Sequence, residues 1–212
     1  MSAFFDLYGT RLINAIGTHF LYVTVSVFFG FIIALTLGIL LSRAPGLSRI
    51  VLPILSVFQT IPGIVFIGLL FLYIGMVPMT AITALGIYAV FPILKNTYVG
   101  IIEVPQDYKD AAKGCGMTSF QTLVEVEIPM ALPFILSGLR MSTVYTVSWA
   151  VLAAMIGLGG LGEIIYAGIM SNNNTLILGG AIPCALMAIV YSQLVDGLRR
   201  LLIPKALRRA TK

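Results

Sequence analysis

Charge is what this sequence has least of. It holds 13 Lys and Arg and 8 Asp and Glu, 10% of 212 residues, where a soluble domain carries roughly 25%. Between Arg49 and Lys95 no side chain is charged. Such a composition cannot cover a water-facing surface, which excludes a soluble domain. The two cysteines, Cys115 and Cys184, give neither a disulfide framework nor a metal-ligand spacing, and both read as structural. The single histidine, His19, has no evident partners for a metal site or proton relay. No Ser/His/Asp or Cys/His set is assembled, and there is no Gly-x4-Gly-Lys-Ser/Thr phosphate loop. A membrane-embedded enzyme needs ionisable residues clustered within its apolar segments, and the charge-free stretches argue against one.

What is there is apolar. At 59% hydrophobic residues and a mean hydropathy of +1.03, the chain is an integral membrane protein. Its length suits one all-α bundle of roughly five helices, each needing about 20 apolar residues to cross the hydrocarbon. The apolar runs place spans at about 19–41, 51–74, 79–101, 132–158 and 176–198. Gly75-Met76-Val77-Pro78 divides the second from the third, since Gly and Pro mark turns. The first run is too long for a signal-peptide core and has no small-residue cleavage site after it, so it stays as a span.

The net charge of +5 does not point to nucleic acid, because the cations cluster beside the spans. With the N-terminus outside, the inner loops and tail hold Arg43, Arg49, Lys109, Lys113 and six cations between Arg199 and Lys212. Only Arg11 lies outside. This asymmetry puts the C-terminal tail (199–212) and the polar stretch 102–130 in the cytoplasm. The tail is an anchor for topology or a contact for anionic lipid.

That stretch is a charged island. Pro105-Gln106-Asp107 suits the start of one short helix, with Gly116 as its left-handed cap. Thr118-Ser119-Phe120-Gln121 fits a capping box opening a second, with Phe120, Leu123 and Val124 on one face. Pro129 and Pro133 close the island where the chain re-enters the membrane. The residues alone also allow an amphipathic loop lying on the inner leaflet.

Asp110-Ala111-Ala112, then Gly116, then Val126-x-Ile128-Pro129 resembles the EAA loop of ABC importer permeases, with Asp110 for the usual Glu and Val126 and Ile128 for the usual Ile and Leu. Gln59-Thr60-Ile61-Pro62, the run from Leu94 to Ile101, and Gly157-Leu158-Gly159-Gly160-Leu161-Gly162 resemble blocks of the osmoprotectant permeases, which carry glycine betaine, carnitine, choline or relatives. The likeness spans about Thr18 to Pro204. It implies a five-span permease of the type I importer kind in the bacterial cell membrane, working by alternating access. It also implies two ATP-binding cassette subunits carrying ATP and Mg2+, a second permease subunit and an extracellular binding protein. No cofactor is expected on this chain. By the same resemblance the island lodges in a cleft of the ATPase, Ala111 and Ala112 allow close approach, and Gly116 permits the bend. A permease for another solute, such as an amino acid or an ergothioneine-like betaine, fits the same pattern. An ATP-independent channel would have no reason to keep the island.

Other signals carry less. Gly157-x-Gly159-x-x-Gly162 fits the dinucleotide fingerprint in letters, but follows a span rather than a strand, and reads as helix packing or a hinge. His19 reads as an interfacial residue at the outer end of the first span, and Glu163 as a solvated charge or a contact for the binding protein. Polar and aromatic residues inside spans mark candidate pathways: Gln59, Thr60, Asn96, Tyr98, Tyr145, Thr146, Ser148 and Trp149. Aromatic faces attract quaternary ammonium groups, which singles out Tyr98, Tyr145 and Trp149. Packing between helices is the alternative for each.

Overall fold

The computed structural model describes residues 2–203, with side chains from Tyr8 onward; Lys205, Arg208, Arg209 and Lys212 of the basic tail lie outside the described residues. Among those described, all regular structure is helical. The elements are α1 (Ser2–Arg43), α2 (Pro45–Phe58), α3 (Gly63–Ile74), α4 (Pro78–Ile102), α5 (Gln106–Gly114), α6 (Ser119–Thr122), α7 (Ile128–Met155), α8 (Leu161–Met170) and α9 (Asn174–Leu202). Four segments are long and apolar enough to cross a membrane, or five if the bent pair α2–α3 is counted as one span.

The helices differ from simple spans at three places. The first span is part of a helix of 42 residues, about 63 Å at 1.5 Å per residue, so α1 runs well past a hydrocarbon core of about 30 Å. The second span is not one helix: α2 and α3 meet at 93°. Pro62 has no N–H to continue the ladder and pushes Ile61 out of the helical region, so the chain breaks at Gln59–Pro62. The third concerns the island, whose second helix does not stop before the membrane. A π-helical turn at Leu123–Glu127 joins α6 to α7 without a gap. The widened turn lies just ahead of Pro129, where an α-helical register would set the ring against the carbonyl four residues back.

Helix α4 is the hub, packed on α1 on one side and α7 on the other, while α9 packs on α7 and α8. Small residues let these backbones approach, as expected where lipid offers no hydrophobic drive. A Cβ on Gly138 would stand 2.7 Å from that of Asn96 and 2.9 Å from the Pro92 carbonyl. The core is built of Val23, Ala84, Leu85, Ala89, Val147 and Leu161 among others, all buried.

The glycine block at 157–162 is the turn between α7 and α8. Gly157, Gly159 and Gly160 all have positive φ (86°, 81° and 97°), a backbone that L side chains rarely adopt. These three turn the chain, while Gly162 is the close-packed one: a Cβ there would collide with the Val151 carbonyl of α7. Helix α8, only 10 residues long, is too short to cross and folds back on α9. The side chain of Asn173 caps α9, accepting from the N–H groups of Thr175 and Leu176.

Candidate functional site

The island forms a knuckle at one end of the bundle. Helix α5 ends in a Schellman-type cap: Gly116 N–H donates to Lys113 O at 2.9 Å and Met117 N–H to Ala112 O at 3.1 Å, with Gly116 at φ 82°. Thr118 and Gln121 then form the reciprocal capping box. Asp110, Ala111 and Cys115 are exposed, as are Tyr108 and Val124, and Phe120 is 73% exposed. Ala112 is buried within the chain, while Ile128 and Pro129 are half-buried at the start of α7.

One residue that holds the knuckle was not singled out from sequence. Glu127 is 2% exposed, and both its carboxylate oxygens accept from Arg43 at the end of α1, Nη1 to Oε1 at 3.2 Å and Nη2 to Oε2. The only sequence signal was an acid next to the apolar Ile128-Pro129, where an isolated buried charge needs a partner.

The pathway candidates divide. Gln59 and Thr60 sit at the α2–α3 break. Trp149 lies against Gly63 at the start of α3, 4.6 Å from the ring of Tyr88 and 5.9 Å from that of Tyr145. Phe58 and Phe66 complete the cluster around Tyr88. Tyr88, not among the sequence candidates, donates its hydroxyl proton to Ile61 O at 2.7 Å, satisfying a carbonyl that the break frees. Irregular backbone at membrane depth is tolerated only inside protein or along a water-filled cavity. The structure does not bring Asn96 or Tyr98 into this group. Asn96 donates to Pro92 O within its own helix and packs at Gly138, and Tyr98 meets Ser48 at 3.1 Å. Thr146 is buried and bonds Ser142 O; Ser148 is exposed and bonds Val144 O.

An exposed stripe on α7 runs through Ser137, Arg140, Met141, Tyr145 and Ser148, too polar to face hydrocarbon. Arg140 donates from Nε to Ser192 Oγ at 2.7 Å and lies 3.5 Å from Asp196 on α9. At the opposite end of α7 from the knuckle, His19 is not interfacial as expected. It is fully buried between α1 and α7, with Nε2 3.1 Å from Val147 O, because α1 continues beyond it for several turns. Glu163 is neither free nor alone: it pairs with Arg11 at 2.8 Å, both half exposed.

Apolar spans, a sharp break between α2 and α3, and an exposed knuckle tied to one end of the bundle define a multi-pass membrane protein. The chain belongs to the binding-protein-dependent transport system inner membrane components, which it matches over residues 12–208. These are permease subunits of ABC importers in the bacterial plasma membrane, with ATP hydrolysis on separate subunits. Over 207 residues the chain is 39% identical to the carnitine transport permease protein OpuCB of Listeria monocytogenes, covering 98% of this chain and 95% of that one. It is 36% identical to the glycine betaine/carnitine/choline permease protein OpuCB of Bacillus subtilis (strain 168), covering 98% and 96%. A choline permease of the same organism, OpuBD, is 37% identical, covering 95% and 89%. In fold it resembles a chain of the MetNI methionine ABC transporter in an inward-facing conformation, with a TM-score of 0.84 at 24% identity, covering 94% and 99%.

Proposed function

We propose that this chain forms the membrane path of an ATP-driven importer of quaternary ammonium osmoprotectants, the glycine betaine, carnitine and choline class. The substrate class is carried by the relatives that bear those names and match nearly the whole chain. The aromatic cluster around the α2–α3 break supports it, since aromatic faces suit a quaternary ammonium.

In this reading Asp110, Ala111, Gly116, Phe120 and the rest of the knuckle lodge in one of two ATPase subunits, which hold ATP and Mg2+. Closure of those subunits moves the knuckle, and the unbroken helix from Ser119 to Met155 carries the motion past Tyr145 and Trp149. A second permease subunit completes the path, and a substrate-loaded binding protein docks at the outer end. The N-terminus lies outside and the knuckle in the cytoplasm.

The test is uptake of labelled betaine, carnitine and choline into liposomes holding this chain, its ATPase, any second permease and the binding protein. ATP-dependent accumulation of at least one, lost in Gly116→Val, is the expected result. Accumulation of none, with ATPase assembly intact, keeps the importer and transfers it to another solute. Downhill flux without any ATPase makes the chain a channel.

A further inference from the structure

We infer that the groove between α7 and α9 holds a site for zwitterions, in which Arg140 takes the substrate carboxylate while Tyr145 and Asp196 take its quaternary ammonium. The inference rests on the substrate class proposed above and names residues that favour zwitterions over a bare cation.

Arg140 lies eight residues into the apolar run that starts at Leu132, about 12 Å along the helix. It shares a cavity with Asp196 and Arg199 near the C-terminal end of α9, and charged residues held against apolar spans mark pathways. Its side chain is 51% exposed and that of Asp196 is 35% exposed, on a cavity of about 320 Å³ lined by Ser137, Arg140, Val144, Tyr145, Asp196 and Arg199 among others. That volume is at the lower end for small-molecule sites, roughly 300–1,000 Å³, which suits a compact solute.

The contacts within the chain leave Arg140 available. Its Nε is used by Ser192 and Nη2 reaches Asp196 at a loose 3.5 Å, so neither contact engages Nη1. A guanidinium has five N–H donors in a fork that fits a carboxylate with two parallel bonds. The three charged residues lining the cavity are two Arg and one Asp, a net charge of +1. A bare quaternary ammonium meets that field with a penalty. A betaine brings its own carboxylate to Arg140 and lays its ammonium on the Tyr145 face beside Asp196. Asp196 therefore has two opposing effects: it attracts the ammonium of every substrate, and it competes with the carboxylate for Arg140.

The experiment compares Arg140→Gln and Asp196→Asn in the complete reconstituted transporter, reading the ratio of betaine uptake to choline uptake. Arg140→Gln is expected to lower that ratio about tenfold or more, the scale of one charge-assisted pair. Asp196→Asn is expected to raise it, because both substrates lose the counter-charge while only the betaine carboxylate gains a freer Arg140. Both variants loosen the same α7–α9 contact, so a merely structural role moves the two ratios together or not at all, and either result overturns the site. If Arg140→Gln fails to assemble, Asp196→Asn decides alone: a ratio unmoved or lowered overturns the site. Where the binding protein delivers no choline, betaine uptake alone is read: Arg140→Gln abolishes it and Asp196→Asn keeps most of it, and any other pattern overturns the site. A wild type that carries none of the three compounds removes the substrate class and the site together; a wild type that carries betaine with unresponsive variants removes only the site.

Discussion

Arg43, the last residue of α1, grips Glu127, the last residue of the π turn, through both carboxylate oxygens. The two partners are not equivalent. The Arg43 side chain is 45% exposed and that of Glu127 2%, so removing Arg43 strands a carboxylate inside the protein, whereas removing Glu127 leaves a cation that water can reach. Arg43→Ala is therefore expected to cost about 3 kcal/mol, the range for a buried charge deprived of its partner, and Glu127→Gln about 1 kcal/mol. The double variant is expected to be no worse than Arg43→Ala alone. Thermal unfolding of the solubilised chain measures all three. Equal single costs would mean that Glu127 is stabilised by something other than Arg43.

Gly116 and Gly114 make an internal control for the knuckle. A Cβ at either position meets nothing within 4 Å, but only Gly116 has positive φ. Gly116→Ala is expected to cost about 1 kcal/mol, the left-handed penalty for an L residue, and Gly116→Val more. Gly114→Ala, at the end of a helix in ordinary geometry, is expected to be neutral or slightly stabilising. ATP-dependent uptake is expected to follow the same order. Loss of uptake in Gly114→Ala at full ATPase binding would shift the emphasis from the backbone bend to a close contact with the partner.

Tyr88 is predicted to matter through its hydroxyl as well as its ring. The Ile61 carbonyl lies in the α2–α3 break, where no helical N–H answers it, and the Tyr88 hydroxyl does so at 2.7 Å. Tyr88→Phe keeps the ring against Trp149 but leaves that carbonyl unpaired, a cost of about 1–3 kcal/mol. Lower thermal stability with normal ATPase assembly is the expected outcome. Since Trp149 is the single tryptophan and its ring is 4.6 Å from that of Tyr88, emission from the isolated chain reports the local change. Unaltered stability would show that water or a rearranged break replaces the hydroxyl.

The sequence showed these sites unevenly, and the reasons are physical. The capping box at Thr118 and the left-handed Gly116 were readable because local backbone chemistry dictates both. The stretch 79–101 coincides with the helix α4 within a residue, because Pro78 fixes the helix start. The break within the second span was missed because hydropathy is blind to direction: Gln59–Pro62 is apolar enough to pass as a span, and Pro62 was read only as part of a family block. Tyr88 and Glu127 were missed for a different reason. Each is defined by a partner distant in sequence, Ile61 and Arg43, and no periodicity marks such a pairing. His19 was misplaced because the mixed residues before it hid the continuation of α1.

Topology is open to a test that the two free cysteines provide. Cys115 caps α5 and is exposed, whereas Cys184 is half-buried in α9, inside an apolar span that a charged reagent does not enter. The cation asymmetry puts the knuckle on the cytoplasmic side. A membrane-impermeant maleimide is therefore expected to label the chain in inside-out vesicles and not in right-side-out ones, and Cys115→Ser is expected to abolish the signal. Labelling from the outside would invert the topology and remove the ATPase from the knuckle. The same thiol also reports docking, because it neighbours Gly116 on the surface proposed to enter the ATPase cleft. Adding the ATPase subunits to stripped inside-out vesicles should slow Cys115 labelling severalfold. If the rate is unchanged while the complex assembles, the ATPase grips the chain elsewhere, and the exposed ring of Phe120 becomes the next position to probe.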